Sequence, residues 1–126
     1  MKNNSQWKKE LKPEVYRVTR EGGTEAPFSG KYYKHDAEGI YTCSNCDNEL
    51  FNSKNKFDSG SGWPSFDDPI SEENVSLRGD TSNDMSRTEV LCNKCGAHLG
   101  HVFSDGPKET TGNRYCINSL SLNFKK

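Results

Sequence analysis

The sequence predicts a mainly β domain with a short helical arm at its N-terminus, and three observations support this fold class. Only 30% of the 126 residues are hydrophobic, and Gly, Asn, Asp and Ser are abundant, so the core must be small relative to the loops. Several short segments have the composition of strands and are separated by turn residues. Four of the five cysteines form two CxxC pairs, which can bind a metal ion that compensates for a small core.

The chain length fits one domain spanning 1–126, with a helical arm at about 1–22 and a metal-stapled β core at 23–126. The net charge of -1 and the pI near 6.3 give no basic surface for nucleic acid or an anionic membrane. No apolar run is long enough to span a bilayer. The first 13 residues contain lysines but no apolar signal-peptide core, so we expect a cytoplasmic protein.

The N-terminal arm has apolar residues at the spacing of one or two short amphipathic helices. These residues are Trp7, Leu11, Val15 and Val18. Pro13 suits the first turn of the second helix, because a first-turn residue needs no intrahelical N–H donor. The pair Gly22 and Gly23 then ends the arm.

The rest of the chain alternates between predicted strands and polar turns. The predicted strands cover 31–33, 39–42, 75–77, 87–91 and 114–124, with a polar turn between the third and the fourth. Residues 52–69 are rich in Ser, Gly and Asp but also contain Phe57, Trp63 and Phe66. Because a flexible linker would not carry three aromatic residues, we interpret this segment as an ordered functional loop.

The four paired cysteines, Cys43, Cys46, Cys92 and Cys95, predict one structural Zn²⁺ per chain. A two-residue spacer lets both sulfurs of a pair reach the same ion, and four thiolates leave no open position for catalysis. Gly96 suits the tight turn after the second pair. The alternative is a thioredoxin-type redox disulfide, which is disfavoured because no βαβ pattern surrounds either pair.

The fifth cysteine, Cys116, lies in the predicted strand at 114–124. Alternation along that strand places Arg114, Cys116 and Asn118 on one face, ahead of Leu120, Leu122 and Phe124. A lone cysteine is by default a small buried apolar residue. A neighbouring arginine argues for a nucleophile instead, because a cation stabilises the thiolate and lowers the thiol pKa.

Two histidines, His98 and His101, follow the second cysteine pair directly. Such residues are often structural, but with four cysteines filling a metal site they are free to act as general acids or bases. Asp105 is either a plain turn residue or the partner of a histidine. Trp63, between Gly62 and Pro64, is either core or the flat wall of a small apolar pocket.

Together these segments resemble the methionine-R-sulfoxide reductase B family over nearly the whole chain, from about Trp7 to Phe124. The matching motifs are GGTE at 22–25, PFSG at 27–30, SGSGWPSF at 59–66, CNKCGAHLGHVF at 92–103 and RYCINS at 114–119. The resemblance implies a fold of two antiparallel β-sheets with N-terminal helices, often with a four-cysteine zinc site. It also implies reduction of methionine-R-sulfoxide, protein-bound or free, to methionine, and hence repair of oxidised proteins.

The resemblance further implies a role for each site residue. Cys116 is the nucleophile and becomes a sulfenic acid, and a thiolate and an acid on opposite sides of the S–O bond suit that chemistry. The implied helpers are His98 and His101 on the oxygen, Arg114 and Asp105 setting the charge, Asn118 as an anchor, and Trp63 with Phe103 around the substrate methyl group. The expected assembly is a monomer.

One residue departs from the pattern of many relatives, which carry a resolving cysteine where this chain has Ser61. A hydroxyl cannot form a disulfide with a sulfenic acid. We therefore expect an external thiol to reduce oxidised Cys116, with thioredoxin as the donor by family analogy and glutaredoxin or a small thiol as alternatives.

Two other classes remain open on the residues alone. A non-catalytic zinc-binding module would use Cys116 only for packing, so Cys116→Ser would leave its function intact. A cysteine hydrolase would pair Cys116 with a histidine, but the sequence shows no oxyanion motif or acidic orienter at a recognisable spacing.

Overall fold

The computed structural model describes residues 3–81 and 86–126. The first two residues of the predicted arm and the middle of the predicted turn, 82–85, lie outside the described residues. The described residues form two α-helices, α1 (Asn4–Glu10) and α2 (Pro13–Thr19), and nine strands. The strands are β1 (Ile40–Cys43), β2 (Glu49–Asn52), β3 (Lys56–Phe57), β4 (Ser65–Phe66), β5 (Val75–Asp80), β6 (Arg87–Cys92), β7 (His98–Phe103), β8 (Arg114–Ile117) and β9 (Leu122–Lys125). The predicted mainly β class with N-terminal helices is confirmed.

The strands form two antiparallel sheets, as the resemblance implied. One is three-stranded with the order β2-β1-β9, and the other is six-stranded with the order β3-β4-β8-β7-β6-β5. The core between them is aromatic: Phe51 of β2 stacks on Phe66 of β4 with ring centroids 4.4 Å apart, and both are fully buried. Burial of large aromatic side chains compensates for the low apolar content of the chain.

The two predicted helices are present and meet at Pro13, the first residue of α2. α1 begins with a capping box in which Asn3 and Gln6 satisfy each other's backbone N–H groups. Trp7 and Val18 are buried, so the arm packs its apolar face on the sheets. Arg20 then lies 4.2 Å over the Trp7 ring and donates to the carbonyl of Cys95, which ties the arm to the second cysteine pair. Neither described helix is long and apolar enough to cross a membrane.

The prediction of one strand over 114–124 is wrong. β8 ends at Ile117, a 3-10 turn occupies Ser119–Ser121, and β9 continues in the other sheet, paired with β1. Residues 114–117 therefore belong to the six-stranded sheet, whereas Leu122 and Phe124 belong to the three-stranded sheet. The alternation of apolar and polar residues continues through the turn from one sheet into the other. A pattern of period two therefore cannot show where the chain changes sheets.

Other strand predictions are confirmed or corrected individually. The strands expected at 39–42, 75–77 and 87–91 are present as β1, β5 and β6 with small shifts of their ends. The segment 31–33 is a turn, in which Tyr32 donates its N–H to the Ser119 hydroxyl. The predicted loop at 52–69 is ordered, as expected, and contributes β3 and β4 to the edge of the six-stranded sheet.

Candidate functional site

Cys116 lies in the middle of the six-stranded sheet, between residues of two neighbouring strands. Its direct partner in β7 is His101, and its direct partner in β4 is Ser65. Directly opposed residues of antiparallel strands project from the same face. Arg114 and its partner Phe103 lie two residues further along that face, and the Arg114 guanidinium stacks 4.5 Å over the Phe103 ring. The sheet thus presents a thiol, an imidazole, a guanidinium and an aromatic ring on one surface.

A cavity of about 210 Å³ opens over this part of the sheet. It is lined by Thr24, Ser61, Trp63, Arg87, Gly100, His101, Phe103, Arg114, Cys116 and Asn118. Six of the eight catalytic and substrate-binding residues predicted from the sequence are in this lining. The other two, His98 and Asp105, are not among the described residues that line it.

The Cys116 thiol is partly buried and lies 3.8 Å from the Ser61 hydroxyl. Burial raises the pKa of Cys116 above its ordinary value, and this effect outweighs the opposing hydrogen bond from Ser61 and the positive charge of Arg114. Arg114 therefore acts in the predicted direction without setting the net result. In the substrate-free protein at neutral pH, Cys116 is mostly a thiol, which protects it from indiscriminate oxidation.

Ser61 belongs to a short chain of hydroxyl groups in the 59–65 loop. Ser59 donates to Ser61 at 2.8 Å, and the Ser59 and Ser65 hydroxyls are 2.7 Å apart. Ser61 also accepts from the N–H of Trp63 at 3.3 Å. These contacts fix the hydroxyl beside Cys116.

His101 is held in the cavity wall by a carboxylate from β5. Its Nε2 lies 2.8 Å from Asp80 Oδ2, and the same oxygen accepts from Arg87 Nη2 at 3.4 Å. A histidine that donates from one ring nitrogen to a carboxylate has its tautomer and ring orientation fixed by that bond. In the imidazolium form, the second ring nitrogen of His101 also carries a proton.

His98 reaches the same face because of a β-bulge in β7. Val90 pairs with Gly100, but Leu91 pairs with His98, so Leu99 is the extra residue. The two histidine rings are 5.5 Å apart as a result, despite an odd separation in sequence. His98 is buried and its Nδ1 lies 2.6 Å from Glu89 Oε2. Burial lowers the pKa of His98 against the opposing effect of Glu89, so the ring is neutral at physiological pH.

Asp105 lies outside the cavity and holds Arg114 from the solvent side. Its carboxylate accepts from Arg114 Nε at 2.9 Å and from Nη2 at 3.3 Å. The Asp105 side chain is 67% exposed, against 18% for Arg114. The guanidinium is thus fixed between a carboxylate and the Phe103 ring, which sets its orientation toward Cys116.

Trp63 and Asn118 are both anchored to the backbone of one residue, Glu25. Trp63 Nε1 donates to the Glu25 carbonyl at 3.0 Å, and the Glu25 N–H donates to Asn118 Oδ1 at 3.1 Å. Asn118 Nδ2 donates to the carbonyl of Leu99 at 3.1 Å. Glu25, which follows the helical arm, therefore connects the Trp63 indole on one side of the cavity to the Asn118 amide on the other.

The four paired cysteines converge as predicted and form a candidate metal centre. Their sulfur atoms all lie within 4.8 Å of one another, and the Cys43–Cys95 and Cys46–Cys92 sulfurs are both 3.6 Å apart. A tetrahedron with metal–sulfur bonds of about 2.3 Å has edges of about 3.8 Å. The observed spacing is close to that of a four-thiolate metal site.

Ionisation of all four thiols would depend on a bound cation. Burial and the neighbouring thiols raise the pKa of Cys46 to about 12, so the four sulfurs cannot all ionise by themselves. A metal ion supplies the compensating charge. Because Cys43 ends β1 and Cys92 ends β6, the site joins the two sheets.

Both cysteine pairs end in the same local turn. The residue after each pair has a left-handed backbone, Asp47 with φ 63° and Gly96 with φ 80°. The N–H of each of these residues donates at 2.8 Å to the carbonyl of the first cysteine of its pair. Glycine and aspartate tolerate this conformation, so the predicted role of Gly96 is confirmed and is shared by Asp47.

Sequence reasoning missed four polar residues that build the site: Glu25, Asp80, Arg87 and Glu89. The last two lie two residues apart in a strand that was predicted, so a period of two already placed both charges on one face. This strand precedes the segment with His98 and His101, so its two charged residues could have been predicted to lie near the histidines. Asp80 offered no such signal, because it acts through contacts with residues distant in sequence. Glu25 stands in the GGTE motif at 22–25, which marked the residue without indicating a role for it.

Comparison with known proteins places this arrangement among a large group of relatives. The family model described as the SelR domain matches residues 11–126. A protein of Methanosarcina barkeri named peptide methionine sulfoxide reductase MsrB is 59% identical over 124 residues, covering 98% of this chain and 87% of that protein. A protein of the same name from Thioalkalivibrio sulfidiphilus is 62% identical over 115 residues, covering 91% of this chain and 83% of that protein.

A comparison of structures finds the same architecture in a more distant protein. The crystal structure of the Mis18 'Yippee-like' domain superposes with a TM-score of 0.56 and covers 71% of this chain and 97% of that chain. The sequence identity is 17%, so this likeness concerns the fold alone.

Proposed function

The chain belongs to the SelR domain family, with relatives named peptide methionine sulfoxide reductases, and we propose that it reduces the R epimer of methionine sulfoxide in peptides and proteins. It is an oxidoreductase acting on a sulfur group. The observation that carries the proposal is the lining of one cavity of about 210 Å³ by Cys116, His101, Arg114, Asn118 and Trp63. A cavity of that size suits one methionine side chain rather than a larger group.

The oxidised side chain enters with its methyl group between Trp63 and Phe103, the two aromatic residues of the lining. This placement leaves the sulfoxide oxygen to the polar part of the cavity, where His101, Arg114 and Asn118 lie. A fixed apolar wall and a fixed polar wall accept one arrangement of methyl group and oxygen around a chiral sulfur. Discrimination between epimers follows from that asymmetry.

The chemical step makes one S–O bond and breaks another. Cys116 gives its proton to the second ring nitrogen of His101 as its sulfur attacks, and His101 passes that proton to the sulfoxide oxygen, which is transferred to Cys116 as a hydroxyl group. Cys–SH and R₂S=O thereby become Cys–SOH and R₂S, so methionine is reduced by two electrons and Cys116 is oxidised by two. Arg114 stabilises the thiolate at the moment of attack, which offsets the burial that raises the pKa of the resting thiol.

Two predicted catalytic residues receive supporting roles in this proposal. His98 is buried beside His101 and bound to Glu89, so we assign it to holding the wall of the site rather than to proton delivery. Asp105 fixes the orientation of Arg114. Cys43, Cys46, Cys92 and Cys95 would hold one Zn²⁺, which would cross-link the two sheets and take no part in the reaction.

Recycling uses an external thiol, because Ser61 cannot resolve the sulfenic acid and the other four cysteines would be occupied as metal ligands. A first thiol condenses with Cys–SOH to a mixed disulfide and water, and a second thiol releases reduced Cys116 and a disulfide. We propose thioredoxin as the donor, with a monomeric enzyme in a reducing, cytoplasmic environment.

The proposed activity is tested by single turnover of prereduced protein on the two separated epimers of a methionine sulfoxide peptide. We expect one equivalent of methionine from the R epimer and none from the S epimer. Product from the S epimer alone would reverse the assignment of methyl group and oxygen to the two walls. No product from either, with the fold intact, would favour a non-catalytic module, whereas hydrolysis of an activated ester at Cys116 would favour a hydrolase.

The proposed recycling route predicts the behaviour of Ser61→Cys. Because the Ser61 hydroxyl lies 3.8 Å from the Cys116 sulfur, a thiol at this position can resolve the sulfenic acid internally. We expect the variant to contain an intramolecular disulfide after one turnover by mass spectrometry, and the original protein to contain a dimedone-reactive sulfenic acid. An intramolecular disulfide in the original protein would show instead that a metal ligand resolves the intermediate. Ser59→Cys is the matched control for adding a thiol to the same loop.

A further inference from the structure

Asn118 precedes a 3-10 turn, Ser119–Ser121, and occupies its N-cap position. An N-cap asparagine ordinarily uses its side-chain oxygen to accept from a backbone N–H in the first turn that follows. Among the described residues, the Asn118 side chain makes no such capping bond. Its oxygen accepts from the N–H of Glu25, and its amide nitrogen donates to Leu99.

Glu25 supplies the missing cap from the other end of the chain. Its Oε1 accepts from the N–H of Leu120, the second residue of the turn, at 2.9 Å. Glu25 and Asn118 thus exchange partners: the asparagine satisfies the N–H of the glutamate, and the glutamate satisfies the N–H that the asparagine would otherwise cap. The exchange resembles a capping box whose two members lie in segments distant in sequence.

This exchange determines where the Asn118 amide points. With Oδ1 bound to Glu25 and one N–H of Nδ2 bound to Leu99, Asn118 has one side-chain N–H left, and the residue lines the cavity. The same Glu25 backbone accepts from Trp63 Nε1. Glu25 therefore fixes both the Asn118 amide in the polar wall and the Trp63 indole in the apolar wall.

The burial of Glu25 fits a dedicated role. The residue is only 4% exposed, and its second carboxylate oxygen is buried without a hydrogen-bond partner among residues 3–81 and 86–126. A Cβ on Gly30 would overlap both this oxygen and the Ser119 hydroxyl, so the glycine provides the space that the carboxylate occupies. Burying a carboxylate with one unbonded oxygen costs folding free energy. The retention of such a residue here fits a role for the other oxygen, which binds the N–H of Leu120.

We infer that Glu25 is a positioning residue, whose carboxylate caps the 119–121 turn so that the Asn118 side chain is released to the substrate cavity. This inference rests on the proposed function for its kinetic consequence but not for its structural one. Without the carboxylate, Asn118 Oδ1 rotates back to cap Leu120, and its amide leaves the cavity.

The kinetic test compares Glu25→Ala with Glu25→Gln. We expect Glu25→Ala to lower kcat/KM for the R-sulfoxide peptide by roughly tenfold, the scale of one capping interaction. Glu25→Gln keeps an acceptor for Leu120 and recovers most of that loss. Glu21→Ala, which removes an exposed carboxylate at the end of the arm, is the matched control. Equal losses in Glu25→Ala and Glu25→Gln would overturn the cap and indicate that the charge itself matters.

A double-mutant cycle with Asn118→Ala shows whether Glu25 acts through Asn118. If it does, Glu25→Ala causes little further loss of kcat/KM in the Asn118→Ala background. If the two losses multiply, Glu25 acts independently, and the inference is wrong. Protein stability is measured for each variant so that a general loss of folding is recognised.

An NMR measurement separates this inference from the proposed function. In Glu25→Ala, we expect the ¹⁵N–¹H signals of the Asn118 side-chain amide and the Leu120 backbone amide to move together, and in Glu25→Gln the Asn118 signals to stay near their original positions. Unchanged Asn118 signals in Glu25→Ala would refute the inference whether or not the protein reduces any sulfoxide. Absence of reductase activity with the expected shifts would refute only the proposed function.

Discussion

Cys116→Ser is expected to lower the single-turnover rate of methionine formation from the R-sulfoxide peptide by on the order of 10⁴-fold or more, the scale for removing a nucleophile. A serine hydroxyl in the same partly buried position does not ionise near neutral pH and cannot form the S–O bond of a sulfenic acid. The remaining cavity still binds the substrate, because the aromatic wall and the His101–Asp80 pair are unchanged. The loss therefore falls on the chemical step and leaves substrate affinity nearly constant.

The measurement is rapid-quench single turnover, with metal content and circular dichroism recorded for each protein. Cys116→Ala serves as the second variant, since equal losses in both exclude an effect of the new hydroxyl group. If Cys116→Ser kept more than about a tenth of the rate, another thiol would be the nucleophile. Cys46 would be the first candidate, because it is the metal-cluster cysteine that is not fully buried.

Cys116 was predicted as the nucleophile because it was the cysteine left over after two CxxC pairs, and this role stays a prediction. Its surroundings were only partly predictable. The sequence correctly placed Arg114 beside it, but the depth of the thiol depends on tertiary packing, and burial outweighs the arginine in setting the pKa of Cys116. The sequence shows whether a neighbouring residue raises or lowers the pKa of the thiol. The net shift depends also on burial, which only the folded structure shows.

The two histidines illustrate a second limit. Strict alternation in a strand would put residues three apart on opposite faces, so the sequence could not assign His98 and His101 to one cavity. The bulge at Leu99 brings both to the same face, where His98 binds Glu89 and is not among the described residues that line the cavity. A bulge is decided by pairing with the neighbouring strand, which lies outside any local pattern.

The turn after β8 shows the same limit for the backbone. Residues 114–124 alternate well enough to be taken for one strand, yet Glu25 caps a turn within them. The metal site was the opposite case. Two CxxC pairs carry their local geometry in the spacer and in the residue that follows, so the cluster was predictable from the sequence and needed only the fold to bring the pairs together.

Removal of the metal is expected to unfold the protein, which is the largest effect on stability that the structure predicts. The site joins the end of β1 to the end of β6, and a structural zinc site contributes about 10 kcal/mol or more. The free energy of unfolding of a whole domain is only about 5–15 kcal/mol. Protein denatured in guanidinium with EDTA should therefore fail to refold on dilution, and should recover its circular dichroism and R-sulfoxide reduction when Zn²⁺ is added.

Matched cysteine variants separate the metal from the thiols as the cause. Cys92→Ser removes a buried ligand and should give a chain that neither retains one metal per molecule nor unfolds cooperatively on heating. Cys116→Ser, which lies outside the cluster, should refold with added Zn²⁺ as the original protein does. Recovery of a native spectrum in EDTA would mean that the aromatic core between the sheets suffices for folding. The four sulfurs, held 3.6 Å apart in two pairs, would then be a reactive thiol cluster instead of a structural cross-link.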